Sequence, residues 1–183
     1  TLLLVLGYSK SDIINEFYDN EKFTFDAKTE KWKTKFNPEN YKTKNFSEEV
    51  VDAKNGKVVI NLGDKINYLT AKKLENDGLK DILVSKESLF GKFLHKDIKI
   101  SEEENGTFKI GTELNDTIIQ QLLQANINSI QISTTNAINK GPYLLTTVFN
   151  DKNNSKDEAI TEIYKMLRPG EPPTIEIAAQ IFN

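Results

Sequence analysis

The sequence predicts an α+β fold, with helices at both ends of the chain and two short β-α-β units between them. Apolar residues recur at helical spacing on both sides of a proline-rich segment near the end of the chain. In the middle, an apolar pattern punctuated by glycine repeats 48 residues later, from Leu62 to Ile110. Ahead of this repeat, short runs alternate aromatic and polar residues, as half-buried strands do.

The composition is that of a globular protein of one ordinary domain or two small ones. Of 183 residues, 38% are apolar and 28% are charged, which fits neither a disordered tail nor a membrane-embedded chain. The formal net charge of −3 gives no overall basic field, so any contact with nucleic acid must come from a local cluster. The absence of cysteine removes disulfides, thiolate catalysis and cysteine-type zinc sites.

The two ends of the sequence indicate a fragment of a longer chain. The apolar run at 2–6 is too short to span a bilayer and lacks the basic start and cleavage site of a signal peptide. The chain begins without Met, and the apolar stripe of its last predicted helix is still running at Asn183. We therefore expect cuts at both ends and no membrane attachment.

Residues 166–174, MLRPGEPPT, are the segment that ordinary patterning does not explain, and we call them the elbow. They contain three of the five prolines and the only arginine. Proline fixes its own φ and disfavours helix in the residue before it, which predicts a stiff, non-helical loop. Upstream, Ser155 and Glu158 predict a capping box, followed by an apolar helical face at Ala159, Ile160, Ile163, Tyr164 and Leu167. Downstream, Thr174 is a predicted N-cap, followed by a face at Ile175, Ala178, Ala179 and Phe182.

The internal repeat predicts two pseudo-equivalent β-α-β units, at about 58–84 and 106–132. In each, a strand ends at a glycine, a helix carries the central apolar positions, and a short strand returns. The helix closes on a residue that tolerates left-handed φ, Gly78 in one unit and Asn126 in the other. Two units predict a small α+β subdomain, because a solenoid needs at least three.

Aromatic residues interleaved with lysines between positions 23 and 54 allow two interpretations. Such a pattern can stack on single-stranded nucleic acid, or it can form the core of a small β subdomain. Acidic residues dilute any basic patch there, so we favour the core. The aromatic residues are Phe23, Phe25, Trp32, Phe36, Tyr41 and Phe46.

The sequence contains little that indicates a catalytic or metal-binding site. His95 is the sole histidine, which supports neither a metal constellation nor a triad, so we interpret it as an ordinary surface or edge residue. The acidic run 102–104 lacks the spacing of an EF-hand and precedes an Asn-Gly pair, which predicts a solvated turn. The sequence contains no Walker loop, GxGxxG or GxSxG motif. We therefore predict no catalytic residue and no metal site.

The elbow and the helix before it resemble a segment in the lobe of bacterial DNA-directed RNA polymerase β subunits. There, a helix runs into an Arg-Pro-Gly-Glu-Pro-Pro-Thr loop. Gly141-Pro142-Tyr143, followed by a strand and an Asp-rich turn, resembles the same subunit in the same order, as does Leu6-Gly7-Tyr8-Ser9 followed by Asp12-Ile13-Ile14. The resemblance covers the whole chain and is most specific at 141–183. It implies that 1–22 and 141–183 are two parts of the lobe, around an inserted subdomain at 23–140.

The resemblance implies a non-catalytic fragment of a cytoplasmic nucleotidyltransferase that contributes to transcription. It would form one wall of the DNA channel, with the elbow as a gate-type loop at the rim. Arg168 would contact DNA phosphate or the opposing clamp, and Lys165 is a weaker candidate. Glu171 is either an acidic contact or an acceptor inside the loop. The implied loop-shaping residues are Pro169, Gly170, Pro172, Pro173 and Thr174.

The partners implied by the resemblance are the β′, α, ω and σ subunits, DNA in the assembled enzyme, and transcription regulators on residues 23–140. No cofactor is implied in this fragment, because the Mg²⁺ of the whole enzyme is bound by another subunit. Two alternatives stay open from the residues alone. One is a free-standing α+β protein–protein interaction module with the repeat as its binding face. The other is a small hydrolase that uses carboxylates.

Overall fold

The computed structural model is an α+β structure, as predicted, and describes residues 1–41, 43–45, 49–101, 106–135, 141–172, 174–180 and 182. The helices in these ranges are α1 (Leu2–Val5), α2 (Lys10–Phe17), α3 (Tyr68–Asn76), α4 (Asp116–Gln124), α5 (Tyr143–Asn150), α6 (Lys156–Leu167) and α7 (Ile175–Ala179). The strands are β1 (Asn20–Asp26), β2 (Lys31–Lys35), β3 (Thr43–Asn45), β4 (Val50–Asp52), β5 (Val58–Ile60), β6 (Lys65–Asn67), β7 (Asp81–Val84), β8 (Phe93–Leu94), β9 (Ile98–Lys99), β10 (Thr107–Phe108) and β11 (Ser129–Ser133). Single 3₁₀ turns lie at Pro38–Tyr41 and Lys86–Leu89.

The central sheet has the strand order β5-β4-β7-β2-β1-β11-β8, and its neighbouring strands pair antiparallel. The hairpin β1–β2 lies in the middle, with Phe25 opposite Trp32. On either side of this hairpin lies the returning strand of one predicted unit, β7 beside β2 and β11 beside β1. Two small sheets, β9–β10 and β3–β6, complete the subdomain.

The two repeat units share backbone features at the same spacing of 48. Helix α3 begins at Asn67, whose side chain accepts from the amide of Thr70, and α4 begins at Asn115, whose side chain accepts from the amide of Ile118. Both helices end on a residue with positive φ, which is 103° at Gly78 and 59° at Asn126. Local capping therefore determines where each helix starts and stops.

The strands that open the two units are placed differently from each other. Strand β5 is the edge of the central sheet, next to β4, whereas β10 pairs with β9 in a separate sheet. Neither opening strand lies beside the returning strand of its own unit. The similarity of the units is therefore in the helix and the returning strand.

One hydrophobic core lies on the central sheet and under α3 and α4. Phe23, Trp32, Phe36 and Tyr41 are buried in it, which confirms the core interpretation of these aromatic residues. Phe46 and the acidic run 102–104 lie outside the described residues. The core is completed by the apolar residues of the two units, among them Ile66, Ala71, Ile82, Leu114, Ile119, Leu122 and Ile130.

A second hydrophobic core joins the two ends of the chain. Its buried residues come from α1, α2, α5, α6 and α7, together with Tyr18 just after α2 and Ile110 from the second repeat unit. They are Leu4, Val5, Ile13, Ile14, Tyr18, Ile110, Leu145, Val148, Ala159, Ile160, Tyr164 and Ala178. Helix α6 contacts both α1 and α7. The predicted boundaries at 22 and 140 stay a prediction, since residues 136–140 lie outside the described part of the chain.

Two local predictions about the terminal helices are wrong. The strand expected after Tyr143 is helix α5, because Leu145 and Val148 bury one helical face and the hydroxyls of Thr146 and Thr147 donate to carbonyls four residues earlier. Glu158 accepts from the amide of Asn154, at 2.7 Å, where the predicted capping box required the amide of Ser155.

The subdomain leaves and rejoins the terminal helices through two adjacent strands. Asn20, at the start of β1, is paired with Ser133, at the end of β11. The hydroxyl of Tyr18 donates to the carbonyl of Gly141 at 2.7 Å, which ties the end of α2 to the segment before α5. The chain therefore enters and leaves the central sheet at neighbouring strands, close to the terminal helices.

His95 is a buried link between the subdomain and the terminal helices, so the interpretation of it as a surface or edge residue is wrong. It is 1% exposed. Its Nε2 lies 2.8 Å from Oδ1 of Asn15 on α2, and its Nδ1 lies 2.9 Å from Oγ of Ser133 on β11. An imidazole satisfies both partners where an apolar side chain would leave them unpaired, which explains a polar residue at this position.

Candidate functional site

Helix α6 continues through Met166 and Leu167, so the prediction of non-helical backbone is wrong for the first two residues of the elbow. A tight turn then reverses the chain. The amide of Arg168 still bonds to the carbonyl of Tyr164, at 2.9 Å, and Arg168 itself has non-helical φ and ψ of −131° and 72°. The amide of Glu171 then approaches the carbonyl of Arg168 at 3.4 Å. Pro169 and Gly170 occupy the two central positions of this β-turn, with φ of 96° at Gly170. Proline followed by a residue with positive φ is the arrangement of a type II turn, so sequence and backbone agree.

The predicted loop-shaping residues act in different ways. Pro169 and Gly170 form the turn, and Pro172 follows it in extended or irregular backbone. Thr174 caps α7 as predicted, since its hydroxyl accepts from the amide of Ile177 at 3.4 Å. Pro173 lies outside the described residues. Of the face predicted for α7, Ala178 is buried and Ile175 is 51% exposed.

The guanidinium of Arg168 lies at the surface of the elbow. Its side chain is 55% exposed. Its Nη1 lies 3.5 Å from Oε2 of Glu171, and its guanidinium carbon lies 5.8 Å from the centroid of the Tyr164 ring. The ion pair is longer than a charge-assisted hydrogen bond and uses one of the five N–H donors. The planar guanidinium of Arg168 is therefore held in place while much of it faces solvent.

Glu171 accepts a hydrogen bond from within the protein, which agrees with one of its two predicted roles, while the other role, an acidic contact, stays a prediction. The hydroxyl of Tyr164 donates to its Oε2 at 2.7 Å, and Arg168 approaches the same oxygen. The hydrogen bond from Tyr164, reinforced by the charge of Arg168, lowers the pKa of Glu171 below its ordinary value. The same hydrogen bond raises the pKa of Tyr164. Glu171 is therefore ionised, and Tyr164 is a neutral donor, throughout the physiological range of pH.

Lys165 lies in different surroundings from Arg168. It lines an open groove of about 530 Å³ between α6, Ile175 of α7 and the turn before α6. The other charged residues of this groove are Lys152, Asp157, Glu158 and Glu162. The carboxylates outnumber the lysines, so the charge around Lys165 favours a polar or cationic neighbour over a phosphate.

Sequence reasoning missed the polar contact of one residue at the elbow. Tyr164 was assigned to the apolar face of α6, and its ring is indeed buried, yet its hydroxyl also organises the elbow. The spacing from Tyr164 to Arg168 is four residues, which places both on one helical face, so this contact was accessible from sequence. The hydrogen bond from Tyr164 to Glu171 depends on the turn and could not be predicted from the sequence. Leu167, predicted for the buried face, is 60% exposed.

The described residues contain no group of three or more His, Asp or Glu side chains arranged to hold a metal ion. Within the same residues, no helix has both the length and the apolar character needed to cross a membrane. The chemistry that the elbow offers is recognition: a planar cation held at the surface by an aromatic ring and a carboxylate. Such a group binds phosphate or carboxylate.

Within the described residues, the fold combines a group of terminal helices with a mostly antiparallel sheet, and a turn after α6 displays an arginine. The chain is 36% identical over 196 residues to a DNA-directed RNA polymerase subunit beta of Dinoroseobacter shibae, covering 100% of this chain and 14% of that protein. It is 33% identical over 182 residues to the subunit of that name from Rickettsia felis and 32% identical to that from Rickettsia conorii, covering 100% of this chain and 13% of each. No protein-family model matches. The chain belongs to the family of DNA-directed RNA polymerase β subunits and spans about one seventh of the length of these curated relatives.

Proposed function

We propose that this chain is a non-catalytic part of the lobe of an RNA polymerase β subunit, that it forms one wall of the DNA channel, and that the elbow is a gate-type loop at the rim. The observation that carries the proposal is the half-exposed guanidinium of Arg168 on a turn stiffened by Pro169. The match of the whole chain to β subunits supports it.

The elbow suits this function because it is already ordered. A loop that keeps its shape through a proline turn and internal hydrogen bonds loses little conformational entropy when it meets a partner. The guanidinium of Arg168 then contacts a DNA phosphate or an acidic group of the opposing clamp, while the rest of the turn acts as a spacer. Lys165 is the second candidate contact, weaker because of the carboxylates around it.

The activity belongs to the assembled enzyme. In this proposal the whole protein is part of a cytoplasmic nucleotidyltransferase that transcribes DNA together with the β′, α, ω and σ subunits. Its Mg²⁺ is held by another subunit, and this region supplies no catalytic residue. The inserted subdomain is a docking surface for regulators of transcription.

The test is the rate of promoter opening by the full enzyme with Arg168→Ala. We expect opening to slow by about two- to five-fold, the effect of one exposed charge contact of up to roughly 1 kcal/mol. Nucleotide addition in an already assembled elongation complex should stay unchanged. Arg168→Lys is the matched control, because it keeps the charge and removes the planar fork. An unchanged opening rate for Arg168→Ala would contradict the proposal.

A free-standing interaction module is the second candidate function, and one observation favours it. Leu62 and Leu69, in the first repeat unit, are 66% and 74% exposed and offer apolar surface to a partner. The reading frame on either side of the gene segment separates the two functions. Continuation into a chain of β-subunit length supports the polymerase, and a stop codon shortly after Asn183 supports the module.

A further inference from the structure

The carboxylate of Glu171 contacts two groups, Tyr164 and Arg168, and the distances show which of them holds it more firmly. The bond from the Tyr164 hydroxyl to Oε2 of Glu171 is 2.7 Å long, whereas Nη1 of Arg168 lies 3.5 Å from the same oxygen. A hydrogen bond of 2.7 Å to a carboxylate is short and strong, and an ion pair of 3.5 Å between exposed side chains is weak. The carboxylate is therefore fixed by Tyr164 and only loosely engaged by Arg168.

Arg168 and Glu171 are almost equally exposed, at 55% and 57% of their side chains. An anion from solvent can therefore reach the guanidinium without opening the hydrophobic core. It must compete with the carboxylate of Glu171, because like charges close to one cation repel each other. The ring of Tyr164, next to the guanidinium, stays in place during the exchange, since Tyr164 is buried at 2% exposure.

We propose that Glu171 is an internal competitor for Arg168: it occupies the guanidinium until a phosphate replaces it, and the Tyr164 hydroxyl limits how tightly it can bind. The ligand class is a nucleic-acid backbone phosphate. This inference rests on the proposed function, since it specifies how the same arginine engages DNA. Tyr164 is a positioning residue: its hydroxyl acts on Arg168 through Glu171, and its ring contacts the guanidinium directly.

The proposal makes opposite predictions for two conservative variants. Glu171→Gln removes the competing charge but keeps an oxygen that can accept from Tyr164, so promoter binding by the full enzyme should tighten by about two- to five-fold. Tyr164→Phe keeps the buried ring but removes the hydroxyl. The freed carboxylate then pairs with Arg168 more closely, so promoter binding should weaken by about two-fold or more.

The deciding experiment is a double-mutant cycle in the full enzyme, with Arg168→Ala and Glu171→Gln singly and together. The readouts are the equilibrium constant for promoter binding and its dependence on salt concentration. We expect Glu171→Gln to tighten binding only when Arg168 is present, because the carboxylate acts by occupying that arginine. A merely structural role of Glu171 would not depend on Arg168 in this way.

Each outcome bears on one of the two proposals. If Glu171→Gln tightens binding equally without Arg168, the carboxylate repels DNA on its own, and the competitor proposal is overturned. An unchanged or weakened promoter affinity for Glu171→Gln also overturns the competitor proposal. In that case the proposed function still holds if Arg168→Ala slows promoter opening. If Arg168→Ala alone opens promoters at the normal rate, the proposed function fails. Should Tyr164→Phe prevent assembly, the cycle between Arg168 and Glu171 still decides the question.

Discussion

Nε2 of His95 lies 2.8 Å from Oδ1 of Asn15, a contact that joins the segment after β8 to helix α2 across 80 positions of sequence. Because Oδ1 is an acceptor, Nε2 carries the proton, and Nδ1 accepts from the hydroxyl of Ser133. The neutral imidazole therefore satisfies both neighbours. A second proton would place a charge in a buried site.

The stability of the fold should decrease in mildly acidic solution because of His95. Burial, reinforced by the charge of Lys96 and opposed by Asp19, lowers the pKa of His95 below its ordinary value of about 6.5. The unfolded chain consequently takes up a proton near pH 6.5 that the folded chain resists. The contribution of neutral His95 to the free energy of unfolding is complete above pH 6.5. It is lost as the pH falls from 6.5 toward the lower pKa of His95 in the folded chain. Urea unfolding at a series of pH values from 8 to 5.5 measures it.

His95→Gln is the variant that assigns this pH dependence. As the sole histidine is then absent, the free energy of unfolding should become nearly flat between pH 8 and 6. It should also be lower at pH 8 by about 1–3 kcal/mol, because Asn15 or Ser133 loses its buried partner. A slope like that of the unaltered chain would show that another group titrates.

The two helix caps of the repeat should contribute alike to stability. Asn67→Ala and Asn115→Ala each remove the acceptor for one amide at the start of a helix, which costs about 1 kcal/mol in typical cases. The matched controls are Asn67→Gly and Asn115→Gly, which should cost only a few tenths of 1 kcal/mol. Urea unfolding at pH 8 checks both pairs. A cost confined to one of the two helices would mean that the units are similar in backbone only.

Gly170 should be required for its backbone conformation. Its φ is 96°, and a Cβ added there would meet nothing within 4 Å, so Gly170→Ala introduces conformational strain without a clash. We expect a cost of roughly 1–2 kcal/mol, typical of left-handed backbone in a residue other than glycine. Unfolding of the chain and promoter opening by the full enzyme are the two measurements.

Gly7 offers a matched control for that substitution. It has the same φ of 96° and the same open surroundings, but it lies between α1 and α2, away from the elbow in sequence. Gly7→Ala should destabilise the chain to a similar degree and leave promoter opening unchanged. If both variants slow opening equally, the effect comes from general destabilisation and not from the shape of the elbow.

Trp32 should report on the integrity of the subdomain core. It is fully buried at 0% exposure, opposite Val84 in the sheet, with its ring 5.4 Å from that of Phe25. As the single tryptophan, it should show blue-shifted fluorescence that acrylamide quenches poorly until the chain unfolds. Trp32→Ala should cost about 3–5 kcal/mol, the usual effect of emptying a large core site. Strong quenching in the folded state would contradict the described packing.

The sequence by itself determined the features that depend on near neighbours. The caps at Ser155 and Thr174 and the turn at Pro169-Gly170 follow from contacts within three residues. The fold class follows from apolar periodicity, and the exposure of Arg168 agrees with its place on a turn that no helix or strand can continue.

Only the tertiary structure decided features that join distant parts of the chain. The burial of His95 depends on Asn15 and Ser133, which lie 80 and 38 positions away, and no local pattern encodes such partners. The pairing of β1 with β11 depends likewise on the whole subdomain closing on itself. The segment after Tyr143 is rich in residues that suit strands, yet it is helical because the terminal core accepts Leu145 and Val148 on one helical face. Burial against distant residues outweighs intrinsic preferences of a few tenths of 1 kcal/mol per residue, so sequence alone leaves such choices open.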